Sequence, residues 1–216
     1  MIVKLRTIPE DQRIRLSCIP WAAYVAFGDC VGERNIRVTY DQGEMEVMTL
    51  SFKHENRRSR LKDLVKEIFV EMEIDVVCGG SMTCRREEML KGLEADDCYW
   101  IAHESSIRGR EEVDLDMDPP PDLAMEIEVS LNTVARMPIY AALKIPEVCC
   151  WNEESLRILI LTSRGTYRLS KRSKSLPFLP MEEFASFLTR TDLNDTKLIR
   201  AFRAWVREMS PTWKIA

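Results

Sequence analysis

Strict alternation of apolar and polar positions marks one segment above all others. From Asp122 to Ser130, Leu123, Met125, Ile127 and Val129 fall on one face, and Ala124, Glu126, Glu128 and Ser130 on the other. A period of two predicts a strand that carries both glutamates on the same side. The period becomes helical between about 54 and 73, where Leu61, Leu64, Val65, Ile68 and Phe69 recur at spacings that build one apolar face. It is helical again at about 195–209, where Leu198, Ile199, Phe202, Trp205, Val206 and Met209 form a stripe that reads as core packing. A hairpin is predicted from Ile36–Tyr40 and Glu44–Thr49 around Asp41-Gln42-Gly43, because Gly43 suits a positive φ. Further strands are expected at Asp75–Cys84, Leu93–Ala102, Glu147–Trp151, Leu156–Leu161 and Gly165–Leu169. Shorter helices are expected at Trp21–Phe27, at about 133–144 with Pro138 in the first turn, and at Met181–Leu188. Arg108–Asp118 reads as an exposed acidic loop, and Pro119-Pro120-Pro121 stops any helix before the next strand. The order of elements is that of a mixed α/β single domain spanning residues 1–216, with no internal repeat and no low-complexity linker.

Composition changes this picture little. With 216 residues, 45% hydrophobic and 31% charged, the chain is long enough for a proper core and reads as soluble and globular. No stretch approaches the roughly 18 to 20 apolar residues that cross a bilayer, and the N-terminal segment lacks the apolar run of a signal peptide, so a cytoplasmic location without membrane contact is expected. The seven cysteines are odd in number and include no C-x-x-C pair, which argues against a zinc site and a disulfide framework and for reduced thiols.

Charge is more informative once located. Residues 104 to 128 hold nine acids against two arginines, a net −7, so the remainder carries +3 of the total −4. Basic runs occur at Lys53–Lys62, with Arg57, Arg58 and Arg60, and at Arg164–Lys174, with Arg168, Lys171 and Arg172. Such runs can contact phosphates; the plainer reading is a solvated surface.

Two acidic clusters, Glu94-Ala95-Asp96-Asp97-Cys98-Tyr99 and Asp122–Ser130, lie on apolar runs. Charges on half-buried strands cost free energy unless a cation pairs with them, and a divalent metal is a natural candidate. Metal-assisted phosphodiester cleavage needs carboxylates converging on a cation, plus a positive group for the charge that develops on phosphate. Asp96 and Glu126 converge if their strands pair. Asp97 is the alternative inward residue, and Asp96 is preferred because Glu94 and Cys98 share its face. Glu128 lies about 7 Å further along the face of Glu126. The positive group is Arg136, at the start of the next helix. A cation near a helix N-terminus is disfavoured by about 0.3–1 kcal/mol, so Arg136 calls for an anionic partner, carboxylate or phosphate. A salt bridge to Glu126 or Glu128 without catalysis would satisfy it equally. Tyr140 lies one turn later on the same face.

These residues resemble the Uma2 family of restriction endonuclease-like proteins, part of the PD-(D/E)xK nuclease superfamily. The likeness rests on Gly43-Glu44-Met45-Glu46-Val47-Met48, His54, Glu94-Ala95-Asp96, Pro121–Ser130, Pro138-Ile139-Tyr140 and Ile145–Trp151, and it covers about residues 36 to 160. Each piece is weak alone; their ordered combination is specific. The resemblance implies a central mixed sheet flanked by helices, an N-terminal hairpin, C-terminal helices, and a metal site of Asp96 and Glu126 with the main-chain carbonyl of Ile127. It places Glu44 on a recurrent glutamate and His54 on a recurrent histidine, with Glu94 and Tyr140 as accessory residues. Ala95 stands where the family has proline, a harmless change because only the aspartate binds metal. Arg136 stands where the family has lysine, and arginine can stabilise charge on phosphate but cannot act as a base. Some members with a similar Pro-Ile-Tyr helix also carry arginine.

The activity so implied is a DNA endonuclease using Mg²⁺ or Mn²⁺, ions that suit oxygen ligands. Glu128 or Glu44 would orient water or hold a second ion, and a homodimer would suit cleavage of both strands. The rival expectation is a non-catalytic nucleic-acid-binding or accessory protein in which Arg136 neutralises the carboxylates. A third is a metal phosphohydrolase acting on a small phosphate ester.

Overall fold

The chain passes directly from one sheet to the other at the short bend Ala95-Asp96, and Asp96 and Glu126 lie at that bend. The computed structural model describes residues 11–32, 35–129 and 133–213; Ser130, expected at the end of the alternating strand, lies outside the described residues. The first sheet is formed by β1 (Gln12–Leu16), β2 (Ile36–Asp41), β3 (Glu44–Thr49), β5 (Thr83–Arg86) and β6 (Lys91–Glu94) in the order β1-β3-β2-β6-β5. The second contains β4 (Val77–Cys78), β7 (Asp97–Trp100), β8 (Leu123–Ile127), β9 (Glu147–Trp151), β10 (Leu156–Leu161) and β11 (Tyr167–Ser170) in the order β11-β10-β9-β8-β7-β4. Its β8–β9 pair is parallel and the others antiparallel, so the sheet is mixed.

The expected hairpin forms as β2 and β3, with Gln42 at φ 49° and Gly43 at φ 99°, the positive pair that a two-residue turn with the right twist requires. Two expected strands divide. Asp75–Cys84 becomes β4 and β5 in different sheets, separated at Gly79-Gly80; a Cβ on Gly79 would lie 2.6 Å from Cys98 Sγ. Leu93–Ala102 becomes β6 and β7, because the chain leaves one sheet at Glu94 and enters the other at Asp97. Both sides of that switch are buried, so the apolar run shows no interruption.

Helix α1 (Trp21–Val31) outruns its expected span, and α4 (Met137–Ala142) is shorter than expected. Helix α2 (Phe52–Glu71) starts at Ser51, whose side chain accepts a hydrogen bond from His54 N at 3.2 Å. Within the acidic segment, α3 (Glu104–Ile107) precedes turns that run on toward Pro119. Helix α5 (Met181–Leu188) leads to α6 (Asp195–Met209), capped by Asn194. The α6 stripe buries Leu198, Phe202 and Val206.

The alternation of β8 sorts the core. Leu123, Met125 and Ile127 join Leu64, Ile68 and Phe202 under α2, α5 and α6, while Ala124 on the other face joins Cys98, Ile139, Tyr140, Val148 and Cys150. Tyr24, Val38, Tyr40 and Met45 form a smaller cluster between α1 and the first sheet. The seven cysteines are free thiols, four of them buried among these layers. Among the described residues, no helix is long and apolar enough to cross a membrane.

Candidate active site

Strand pairing sets Asp96 beside Glu126. The β7–β8 ladder pairs Asp97 with Met125, so the preceding residue of one strand meets the following residue of the other. At the bend, Asp96 N donates to Met125 O at 3.1 Å and Asp96 Oδ2 accepts from Ile127 N at 2.7 Å. Asp96 is 3% exposed and Glu126 5%. Asp97 is also buried, but its Oδ2 takes the Tyr99 hydroxyl at 2.7 Å, away from the pair.

Each carboxylate has its own cation. The ring of His54, from the first turn of α2, lies between two acids, with Nε2 2.9 Å from Asp96 Oδ1 and Nδ1 3.1 Å from Asp11 Oδ2. Burial opposes a charged imidazole, but the hydrogen bonds and charges of Asp11 and Asp96 outweigh it and push the His54 pKa up to about 9. Burial likewise works against the ionised forms of Asp11 and Asp96; His54 reverses it, holding Asp11 down at about 2 and Asp96 below the usual carboxylate range.

Arg136 serves Glu126. Its Nε and Nη2 lie 3.1 and 2.7 Å from Glu126 Oε1, its Nη1 donates to Thr39 Oγ1 at 2.8 Å, and Nη2 also donates to the Glu94 carbonyl at 2.5 Å. The Tyr140 hydroxyl donates to the same Oε1. The partner expected for Arg136 from its helix-start position is therefore Glu126 rather than Glu128. Burial raises the Glu126 carboxyl to about 6, with the charge of Asp96 adding to the rise and Arg136 and Tyr140 holding it back. Burial and the Glu126 charge raise the Tyr140 hydroxyl far above its ordinary value.

The remaining candidates are spread around this centre. Glu94 turns its carboxylate toward Arg37, 3.5 Å away, and burial raises its pKa. Glu94, Arg37 and Arg58 line a polar cleft of about 610 Å³ whose lining includes none of Asp96, Glu126, His54 or Arg136. Glu128 lies just past β8, where Arg157 Nη2 holds both of its oxygens at 2.6–2.7 Å. Glu44 is held at the surface by Arg15 Nε at 2.8 Å and Ser17 Oγ at 2.9 Å. The structure thus brings Asp96, Glu126, Arg136, His54 and Tyr140 together and sets Glu44 and Glu128 apart. Both of these have found arginine partners at the rim, which removes the reason to seek another cation for them.

Three contributors have no place in the sequence-based set: Asp11, Thr39 and Glu46. Glu46 is 1% exposed and faces Thr39 across the hairpin. It accepts from Arg13 Nη1 at 2.6 Å and from Thr133 N and Oγ1 at 2.5 and 2.6 Å, so it ties the chain after β8 to the first sheet. The signal that singled out Glu126, an acid between apolar neighbours on a strand, is present again at Met45-Glu46-Val47.

Among the described residues, no three His, Cys, Asp or Glu side chains form a group that could hold a metal ion. The pair still suits a hard divalent cation in kind, since its donors are carboxylate oxygens. Asp11, Asp96 and Glu126 outnumber His54 and Arg136 by one charge, and the hydrogen bonds to Glu126 converge on Oε1, leaving Oε2 outside them. Asp96 and Glu126 are the residues that would hold such an ion, in competition with the hydrogen bonds from His54 and Arg136.

The Uma2 family model, described as "Putative restriction endonuclease", matches residues 21–193, a span that includes every residue of this centre except Asp11. A crystal structure described as "a putative nuclease belonging to DUF820", from Anabaena variabilis ATCC 29413, is similar at a TM-score of 0.44 and 14% identity, over 76% of this chain and 90% of that one. No curated protein matches the chain.

Proposed function

This chain belongs to the Uma2 family, described as "Putative restriction endonuclease", and from that premise we propose that it is a DNA endonuclease that hydrolyses phosphodiester bonds with a divalent ion, Mg²⁺ or Mn²⁺. The observation that carries the reading is the side-by-side burial of Asp96, at the bend before β7, and Glu126, on β8, with one negative charge in excess. Asp96 and Glu126 would hold the ion, and the ion when bound supplies positive charge that polarises the phosphate and the attacking water.

The chain's own residues divide the remaining work. Arg136 is permanently charged, so it stabilises charge developing on phosphate oxygens and takes no proton. His54 keeps its proton at neutral pH because Asp11 and Asp96 raise its pKa to about 9; it positions Asp96 and is unsuited to the role of base. Glu126, raised to about 6, is the group whose charge changes closest to neutrality, so ion binding and cleavage fall as the pH drops through that value. Tyr140 orients the Glu126 carboxylate. Arg37 and Arg58, paired with Glu94 and Glu55, would meet the flanking backbone only by exchanging those partners for phosphate. Glu44 and Glu128 have no part in this arrangement.

A second reading draws on the same geometry: Arg136 and His54 already counter most of the buried charge, as in a protein that keeps the fold and binds nucleic acid without cutting it. Mn²⁺ titration calorimetry and nicking of supercoiled plasmid separate the two. The nuclease binds Mn²⁺, nicks plasmid, stops in EDTA, and loses both properties in Glu126→Ala. No ion uptake and no nicking by the natural protein, with nicking gained in Arg136→Lys, establishes the second reading.

A further inference from the structure

The first turns of α2 face two ways. His54 turns inward to Asp96, whereas Lys53, Arg57 and Arg60 line a separate cleft of about 550 Å³, walled by Trp151 and the end of α5 and bordered by Phe52. Among the described residues, six buried side-chain polar atoms lack a hydrogen-bond partner, and three of them, Arg57 Nη1, Arg60 Nε and Trp151 Nε1, belong to this wall. Trp151 is 3% exposed. Arginine and the indole N–H can only donate, so all three atoms call for an acceptor.

The cleft already shows which kind of acceptor it accommodates. The carboxylate of Glu153, whose side chain is 55% exposed, reaches in from the turn after β9 and contacts both Lys53 and Arg57. Arg60 is answered by Asp195 at 3.1 Å, so Lys53 and Arg57 share the single carboxylate of Glu153 and leave one positive charge in excess. Phe52 is 79% exposed, an unusual position for a phenyl ring and a flat apolar surface beside the cations. Cations that grip an anion next to an open ring match the two halves of a nucleotide. The location fits as well: Trp151 pairs with Ile127 on β9, and its carbonyl accepts from Glu128 N at 2.8 Å, so the cleft abuts the end of β8 one residue from Glu126.

We propose that this cleft binds an unpaired nucleotide of the nucleic-acid strand, with its phosphate between Lys53 and Arg57 in place of the Glu153 carboxylate and its base against Phe52; the choice of nucleic acid as ligand rests on the nuclease reading. Glu153 acts as an internal competitor that keeps the cations occupied until a phosphate replaces it.

Fluorescence anisotropy with a labelled single-stranded oligonucleotide in EDTA tests this without cleavage. The Lys53→Gln/Arg57→Gln protein is expected to bind at least about tenfold more weakly, with the slope of log affinity against log salt reduced by about 0.7, the share of one phosphate on a single strand. Phe52→Ala is expected to lose about fivefold or more, and Glu153→Gln to bind more tightly. Arg164→Gln/Arg168→Gln, which changes two exposed arginines elsewhere, serves as the control for general attraction. If the double variant fails to fold by circular dichroism, Lys53→Gln alone should lower both the affinity and the salt slope in the same direction. Absence of binding by the natural protein, unchanged affinity in the cleft variants, or a loss no greater than in the control overturns the proposal. Plasmid nicking keeps the two readings apart: a protein that binds through the cleft but never nicks refutes catalysis alone, and one that nicks while cleft variants bind normally refutes the cleft alone.

Discussion

On one face of β8, Leu123, Met125 and Ile127 pack beneath α2, α5 and α6; on the other, Glu126 lies against Arg136 and Tyr140. One five-residue strand therefore borders two kinds of interior. The apolar face gains its free energy from area, about 1.5–3 kcal/mol for each large side chain removed from water, and it responds to substitution in proportion to the volume changed. The polar face depends on compensation, since each buried charge is tolerable only while its partner stays. Pattern alone reveals both faces, but only the second constrains chemistry.

Breaking the compensation should produce the largest effect. Arg136→Met leaves Glu126 buried without its cation, at an expected cost of about 3–5 kcal/mol in urea unfolding. Removing both charges in Glu126→Met/Arg136→Met should recover more than half of that loss. A double variant no more stable than the single one would show that the pair is not held by mutual compensation.

The next effect is read from pH. His54 has a folded pKa of about 9, above its ordinary 6.5, so its stabilising contribution is complete below about 6.5 and disappears as the pH rises through 9. The shift corresponds to a contribution on the order of 3 kcal/mol. The natural protein should lose stability between pH 6.5 and 9.5, and His54→Gln should be less stable at pH 6.5 yet flatter across that window. Equal slopes for both proteins would remove His54 from the account.

The apolar face should be forgiving by contrast. Met125→Leu keeps the volume nearly constant, so its cost should stay below about 1.5 kcal/mol, with plasmid nicking unchanged. The smallest effect is expected from Glu128→Gln, which shares the polar face but is answered by Arg157 at the rim: nicking rates should match those of the natural protein. A Glu128→Gln protein that no longer nicks would draw the rim into the centre and erase the distinction between the two glutamates.

The sequence makes some of this legible and hides the rest for identifiable reasons. Strand β8 and helix α6 are plain because one side of each meets core and the other does not, which imposes a period on the residues. The bend at Ala95-Asp96 leaves no such trace, since Leu93, Ala95, Cys98, Tyr99 and Trp100 are all buried on either side of it. Strand β1 alternates poorly, with only Arg13 among its five residues less than exposed. Glu126 and Arg136 lie close in sequence, and their pairing is within reach of helix and strand geometry. Asp11 and Thr39 reach the centre from 43 and 97 residues away from the groups they bind, a proximity set by tertiary packing alone. Glu46 is a different case: the local signal is present at Met45-Glu46-Val47, but the family pattern has its recurrent glutamate at Glu44.

Arg136 also has an architectural consequence. Its guanidinium reaches Thr39 on β2, the Glu94 carbonyl on β6 and Glu126 on β8, so a single planar group fastens strands of both sheets at the place where the backbone passes between them. A lysine at this position has one point of attachment where arginine has a fork. Arg136→Lys would therefore loosen the joint between the sheets, whatever it did to the reaction.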